Sequence, residues 1–193
     1  MPNMYSHLIL SKIFLEKEFG DNFDLNNFYF GSSVPDIGYF SDIERKITHF
    51  YETDPEKFFE SSTISEKSFL KGYKLHLYLD NIWKCEIRLK NNISIEENAL
   101  IYNYFDEFLK NKFDIELEYF KNFILNGNCD FLEKLNIDRI TCENWKKCSF
   151  YNISEFEFNE NYQKIVDEYL KILKINLQAL SRKWRAYPGI SRL

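Results

Sequence analysis

Apolar residues return every three or four positions along most of the chain, the spacing of one face of an α-helix, and the strict alternation of a half-buried strand is scarce. From Asn159 to Trp184 the series Tyr162, Val166, Tyr169, Leu173, Leu177, Leu180 and Trp184 predicts a long final helix. Tyr5 to Phe19 suits an amphipathic helix with Gly20 as its stop, and residues 20–41 read as loop, punctuated by Gly31, Pro35 and Gly38. Three segments open on capping-box patterns. Ser41 to Glu44 precedes a short helix that Asp54-Pro55 closes, Thr63 to Glu66 precedes a long helix to about Leu89, and Ser94 to Glu97 precedes a helix to about Lys112. One or two short helices are expected between Ile115 and Leu135 around Gly127, while Thr141 to Tyr151 is ambiguous. The expectation is an all-α fold, with residues 1–193 as a single domain because no Pro, Gly or Ser-rich linker divides them.

Composition adds the size of the core: 19 Phe and 13 Tyr bury large areas each, so the chain should fold without staples. A net charge of −5 argues against a nucleic-acid wrapper, and no sequence-specific nucleic-acid partner is expected. Cys85, Cys129, Cys142 and Cys148 form neither a zinc-finger pattern nor a disulfide framework, which points to reduced thiols and a cytoplasmic protein. Lys12 and Glu16 interrupt the first apolar run, so neither a signal peptide nor a transmembrane segment is expected. The basic, aromatic tail from Arg182 favours the helix dipole and local packing over a membrane surface.

The chemistry-bearing residues are sparse and concentrated. All three histidines, His7, His49 and His76, fall in the first eighty residues. Asp80 follows His76 by four positions, so both project from one face of the predicted long helix and can converge on one metal ion. Gly72, one turn before His76, leaves backbone bare where something can approach closely. Pro35 fixes the chain ahead of Asp36, and Arg45 lies one turn before His49. Taken singly, each residue has a plain structural reading: a core histidine bonded to an aspartate, a Pro-Asp turn, a surface salt bridge.

Together they make a pattern: His7; Gly31-Ser32-x-x-Pro35-Asp36; Arg45-x-x-Thr48-His49-Phe50; Phe69-x-x-Gly72-Tyr73-x-x-His76-x-x-x-Asp80-x-x-Trp83. This resembles the zinc-dependent phospholipase C family, whose helical fold is shared with single-strand-specific nucleases, and small bacterial members of unassigned activity are most similar. The resemblance covers about residues 1–90. It implies a multi-helix bundle with a metal site between the N-terminal helices. In it Asp36, His49, His76 and Asp80 would complete one site, and His7 would serve a neighbouring site bridged by Asp80. This N and O donor set suits zinc, and also iron or manganese, as one or two ions.

The family's terminal tryptophan amine and downstream H-x-x-x-E motif have no counterpart here, since no histidine follows His76. Glu97, Asn103 and Asp106, on a polar-aromatic helix, could complete a second site, with surface solvation as their favoured reading. The activity implied is metal-dependent hydrolysis of a phosphate ester, with Asp36 orienting the attacking water and Arg45 clamping the phosphate. The alternative is a non-catalytic helical domain that keeps a metal for structure or sensing, and a third class is a helical interaction protein without metal.

Overall fold

The structure, a computed structural model, describes residues 3–18, 23–41, 43–59, 61–150 and 158–185, and among them every regular element is helical. Helix α1 spans Met4–Glu18. It was expected to be amphipathic, yet the consecutive residues from Tyr5 to Ser11 are all buried. A helix covered on all sides is an inner element of the bundle, which brings His7 into the core. The Gly20 stop lies outside the described residues.

The stretch read as loop is instead helix α2, Leu25–Ser33, followed by a 3₁₀ turn over Val34–Tyr39. Asp24 caps α2 by accepting from Asn27 N at 3.1 Å, a signal obscured by the glycine and proline that follow. Gly31 is no breaker here. A β-carbon added to it would stand 2.2 Å from the Phe69 carbonyl oxygen, and one added to Gly72 would stand 2.0 Å from that of Phe28. The two glycines let α2 lie backbone to backbone against the long helix α5, Ile64–Ile82. The close approach anticipated at Gly72 is thus made by a neighbouring helix.

Between α2 and α5 lie two short helices, α3 (Arg45–Thr48) and α4 (Pro55–Phe58). The Ser41 capping box does not form: α3 begins after Glu44 without a side-chain cap, and Ser41 Oγ is buried with no partner among the described residues. Asp54-Pro55 opens α4 instead of closing its predecessor, because Asp54 accepts from Glu56 N and proline suits a first helical turn. The Thr63–Glu66 box does form, with Glu66 N donating to Thr63 Oγ1 and Thr63 N to Glu66 Oε2. Helix α5 then runs on through a π-helical segment, Trp83–Arg88, close to the expected end.

The remainder covers this core. Helix α6 is Ile95–Phe113, capped by Ser94. Helix α7 is Glu118–Leu125, a 3₁₀ segment spans Cys129–Leu135, and α8 (Arg139–Cys148) resolves the ambiguous stretch. Helix α9, Glu160–Arg185, turns Val166, Tyr169 and Leu173 inward, and Tyr169 donates to the Leu79 carbonyl at 3.1 Å. The side chains of Leu177, Leu180 and Trp184, and the tail beyond Arg185, lie outside what is described. The expectation of four reduced thiols is corrected: Cys129 and Cys142 form a disulfide that ties the 3₁₀ segment to α8, and Cys85 and Cys148 are free. Among the described residues no helix is long and apolar enough to cross a membrane.

Candidate metal centre

Four elements deliver the six predicted site residues to one place. Helix α1 brings His7, the 3₁₀ turn after α2 brings Asp36, α3 and its C-terminus bring Arg45 and His49, and α5 brings His76 and Asp80. Asp80 stands at the centre. Its Oδ1 lies 3.2 Å from His7 Nε2, and its Oδ2 lies 3.3 Å from His49 Nε2, 3.5 Å from His76 Nε2 and 2.9 Å from Arg45 Nη2. Asp36 Oδ1 closes the ring at 3.6 Å from His49 Nε2, 3.8 Å from His76 Nε2 and 3.0 Å from Arg45 Nη1. Two sets of donor atoms, His7, Asp36, His76 and His49, His76, Asp80, each lie within 4.8 Å of one another, as ligands of one ion must.

Hydrogen bonds fix which ring nitrogens face inward. His76 Nδ1 lies 2.9 Å from the Ser32 carbonyl, which can only accept, so Nδ1 carries the proton and Nε2 points at the two carboxylates. Arg45 can only donate, so its Nη2 contact to His49 makes His49 Nε2 the acceptor and puts that ring's proton on Nδ1. Thr48 Oγ1, 3.0 Å away, accepts this proton and gives its own to the Arg45 carbonyl at 3.3 Å. Tyr73, fully buried on α5, donates to the Thr48 carbonyl and steadies the chain there. Both imidazoles therefore aim Nε2 at the same point, each through a bond made by its other nitrogen.

That point is short of positive charge. Two carboxylates face one guanidinium, and the histidine rings are buried. Burial disfavours an imidazolium at His76, but Asp80 and Asp36 outweigh it and raise its pKa. At His7 burial wins, aided by the neighbouring His76, and lowers the pKa to about 4. Burial also works against the carboxylates, yet His76 and His49 hold Asp36 down to about 2 and Asp80 well below the usual range. Among the described residues, four buried polar atoms here still have no hydrogen-bond partner: His7 Nδ1, His7 Nε2, His76 Nε2 and Asp80 Oδ1. The His7 Nε2 to Asp80 approach is close but lacks hydrogen-bond alignment.

Asp36, Arg45, His49 and Asp80 line one wall of a cavity of about 1210 Å³, so the centre is reachable by a ligand. Glu97, Asn103 and Asp106 do not join it. Buried Asp106 accepts from the Ser6 backbone and hydroxyl and from Asn3, fastening α1 to α6, while Asn103 accepts from Asn3 and Glu97 is exposed on the first turn of α6. Sequence reasoning missed Ser32, Thr48 and Tyr73 as orienting groups. The one signal for Thr48 is its position beside His49, since a carbonyl such as that of Ser32 carries no side-chain signature.

No family model, curated protein or solved structure matches the chain.

Proposed function

We propose that the cluster binds a divalent metal ion and that the protein is a metal-dependent phosphoesterase-like hydrolase. The observation that carries the metal is the pair of orphaned buried atoms His76 Nε2 and Asp80 Oδ1, with the imidazole nitrogen already turned toward the carboxylates by the bond its Nδ1 makes. Buried polar atoms are rarely left unpaired, and a cation coordinated by them would satisfy nitrogen lone pairs and carboxylate oxygens at once. Asp36, His49, His76 and Asp80 would hold the ion, with His7 on the far side of Asp80. The absence of thiolate from the set suits zinc, iron or manganese.

A divalent ion in such a site polarises a phosphoryl oxygen and brings the pKa of bound water toward about 7. The remaining work falls to this chain's own groups. Asp36 is the more open of the two carboxylates and is held ionised, so it can accept a hydrogen bond from water entering by the cavity. Arg45 lines the same wall with its two Nη groups bonded to Asp36 and Asp80, and a phosphate arriving there would share those donors. The phospholipase C resemblance agrees with this division of roles. A domain that keeps the metal for structure or sensing is the second reading, favoured by the lack of any histidine after His76 to complete a larger cluster. The Cys129–Cys142 disulfide removes the thiol argument for a cytoplasmic location, since such bonds persist mainly in oxidising compartments.

Two measurements on protein purified without chelator test the proposal. Metal analysis should find about one equivalent of transition metal or more, and less than about half an equivalent would exclude a resident ion. A chromogenic phosphodiester should be turned over, with Asp36→Ala lowering the rate at least ~100-fold while metal, checked in the same variant, is retained by His49, His76 and Asp80. Metal without any turnover would leave the structural or sensing reading.

A further inference from the structure

The cavity beside the His/Asp cluster has a second polar pole. Lys84 and Arg88 stand one and two turns beyond Asp80 on the continuation of α5, and both line the cavity. Helical rise puts Arg88 roughly 12 Å along the axis from Asp80. Helix α6 contributes Tyr102, only 7% exposed and packed against the Trp83 ring at 5.1 Å. The Arg88 Nε and the Tyr102 hydroxyl are both buried without a hydrogen-bond partner among the described residues.

Neither Lys84 nor Arg88 has a carboxylate partner among the described residues, although the chain carries a net charge of −5. Lys74 and Lys90, on the same helix and just past its continuation, each hold a glutamate. Lys84 instead rests over the Tyr51 ring at 5.7 Å. Lys84 is exposed and hydrated by solvent, but the Arg88 Nε and the Tyr102 hydroxyl are shut off from water in one cavity and need an acceptor. An Arg Nε–H only donates, a phenol O–H donates, and a carboxylate or phosphate group supplies oxygens for both. Leaving a buried donor unmade is costly, so the ligand that satisfies these two gains selectively. Met4, Leu77 and Ile95 add apolar wall, which suits a hydrocarbon or aromatic body.

We propose that Arg88 and Tyr102, with Lys84 beside them, form an anion subsite, and that the substrate is a phosphate ester bearing a second anionic group about one helix pitch or two from the reacting phosphate. The substrate class rests on the phosphoesterase reading; the subsite does not.

The subsite is tested on the full chain stripped of metal by chelation, titrated calorimetrically with inorganic phosphate and, separately, with acetate. Saturable binding of at least one is expected, weakened ~10-fold or more in Arg88→Gln and a few-fold in Tyr102→Phe, with Arg88→Lys keeping only part of it because lysine restores the charge but not the Nε–H, and the remote Arg139→Gln without effect. Whichever anion binds more tightly identifies the head group. Absence of binding, or binding that Arg88→Gln and Tyr102→Phe leave unchanged, overturns the subsite. The substrate class is tested on metal-loaded protein with a chromogenic phosphodiester carrying a terminal carboxylate and with its methyl ester. The carboxylate should be preferred ~10-fold in kcat/KM, and Arg88→Gln should abolish the preference; equal rates overturn it. Turnover of neither compound, with phosphate still bound through Arg88, overturns the phosphoesterase reading and the substrate class together and supports the subsite.

Discussion

The imidazole of His7 lies flat against that of His76, ring centroids 3.7 Å apart and planes within 14°. Two buried rings in that arrangement cannot both become imidazolium, and the surroundings divide them: the pKa of His76, nearer the paired carboxylates, is raised, and that of His7 is lowered to about 4.

The division makes stability depend on pH in a definite direction. His7 is neutral in the fold and charges near pH 6.5 when unfolded, so its contribution is present above pH 6.5 and is lost as the pH falls toward 4. His76 acts oppositely, contributing fully below pH 6.5 and less as the pH rises through its raised value. Asp36 and Asp80 matter only below about pH 4. Urea unfolding of metal-free protein should therefore lose about 3 kcal/mol between pH 6.5 and 4. His7→Leu should flatten that slope, and an unchanged slope would contradict the burial of a neutral His7.

Gly72→Ala should destabilise the fold by about 2–3 kcal/mol, because its β-carbon meets the Phe28 carbonyl and forces α2 off α5. Thermal unfolding should shift down by about 5–10 °C. Metal affinity should fall with it, since Ser32 and Asp36 are carried by the displaced segment.

Thr48→Val removes the oxygen that holds His49 Nδ1 while keeping shape. Metal affinity, read by competition with a chromogenic chelator, should drop ~10–100-fold with little change in unfolding midpoint. Unaltered affinity would mean that His49 needs no orienting partner.

Thiol titration of the native protein should count two reactive cysteines, Cys85 and Cys148, and four after reduction under denaturing conditions. Reduction of Cys129–Cys142, which closes a loop of 13 residues, should cost about 3 kcal/mol of stability. Four reactive thiols in untreated protein would contradict the bond.

Helices α5 and α6, with periodic apolar faces and formed caps, and α9, with its periodic face, were legible in the sequence, because burial of one stripe and, in the first two, a local cap point the same way. Helix α2 was not, since Gly31 serves a tertiary contact that only the position of Gly72 explains. The three histidines were legible because the chain has only three, and Asp80 because it follows His76 by one helical turn; Asp36 and Arg45 were singled out by the motif pattern and not by scarcity. What the sequence could not show is the orienting layer: the Ser32 carbonyl, the Thr48 hydroxyl and Tyr73 act through backbone geometry and through contacts made from residues far apart. The Cys129–Cys142 pairing depends in the same way on where α8 lands.

Anomalous scattering from crystals of protein purified without chelator tests the central claim most directly. A peak within about 2.0–2.2 Å of His76 Nε2, His49 Nε2 and an Asp80 or Asp36 oxygen is the predicted result. Well-ordered side chains at these positions with no anomalous peak among them, or a metal bound elsewhere, would contradict it.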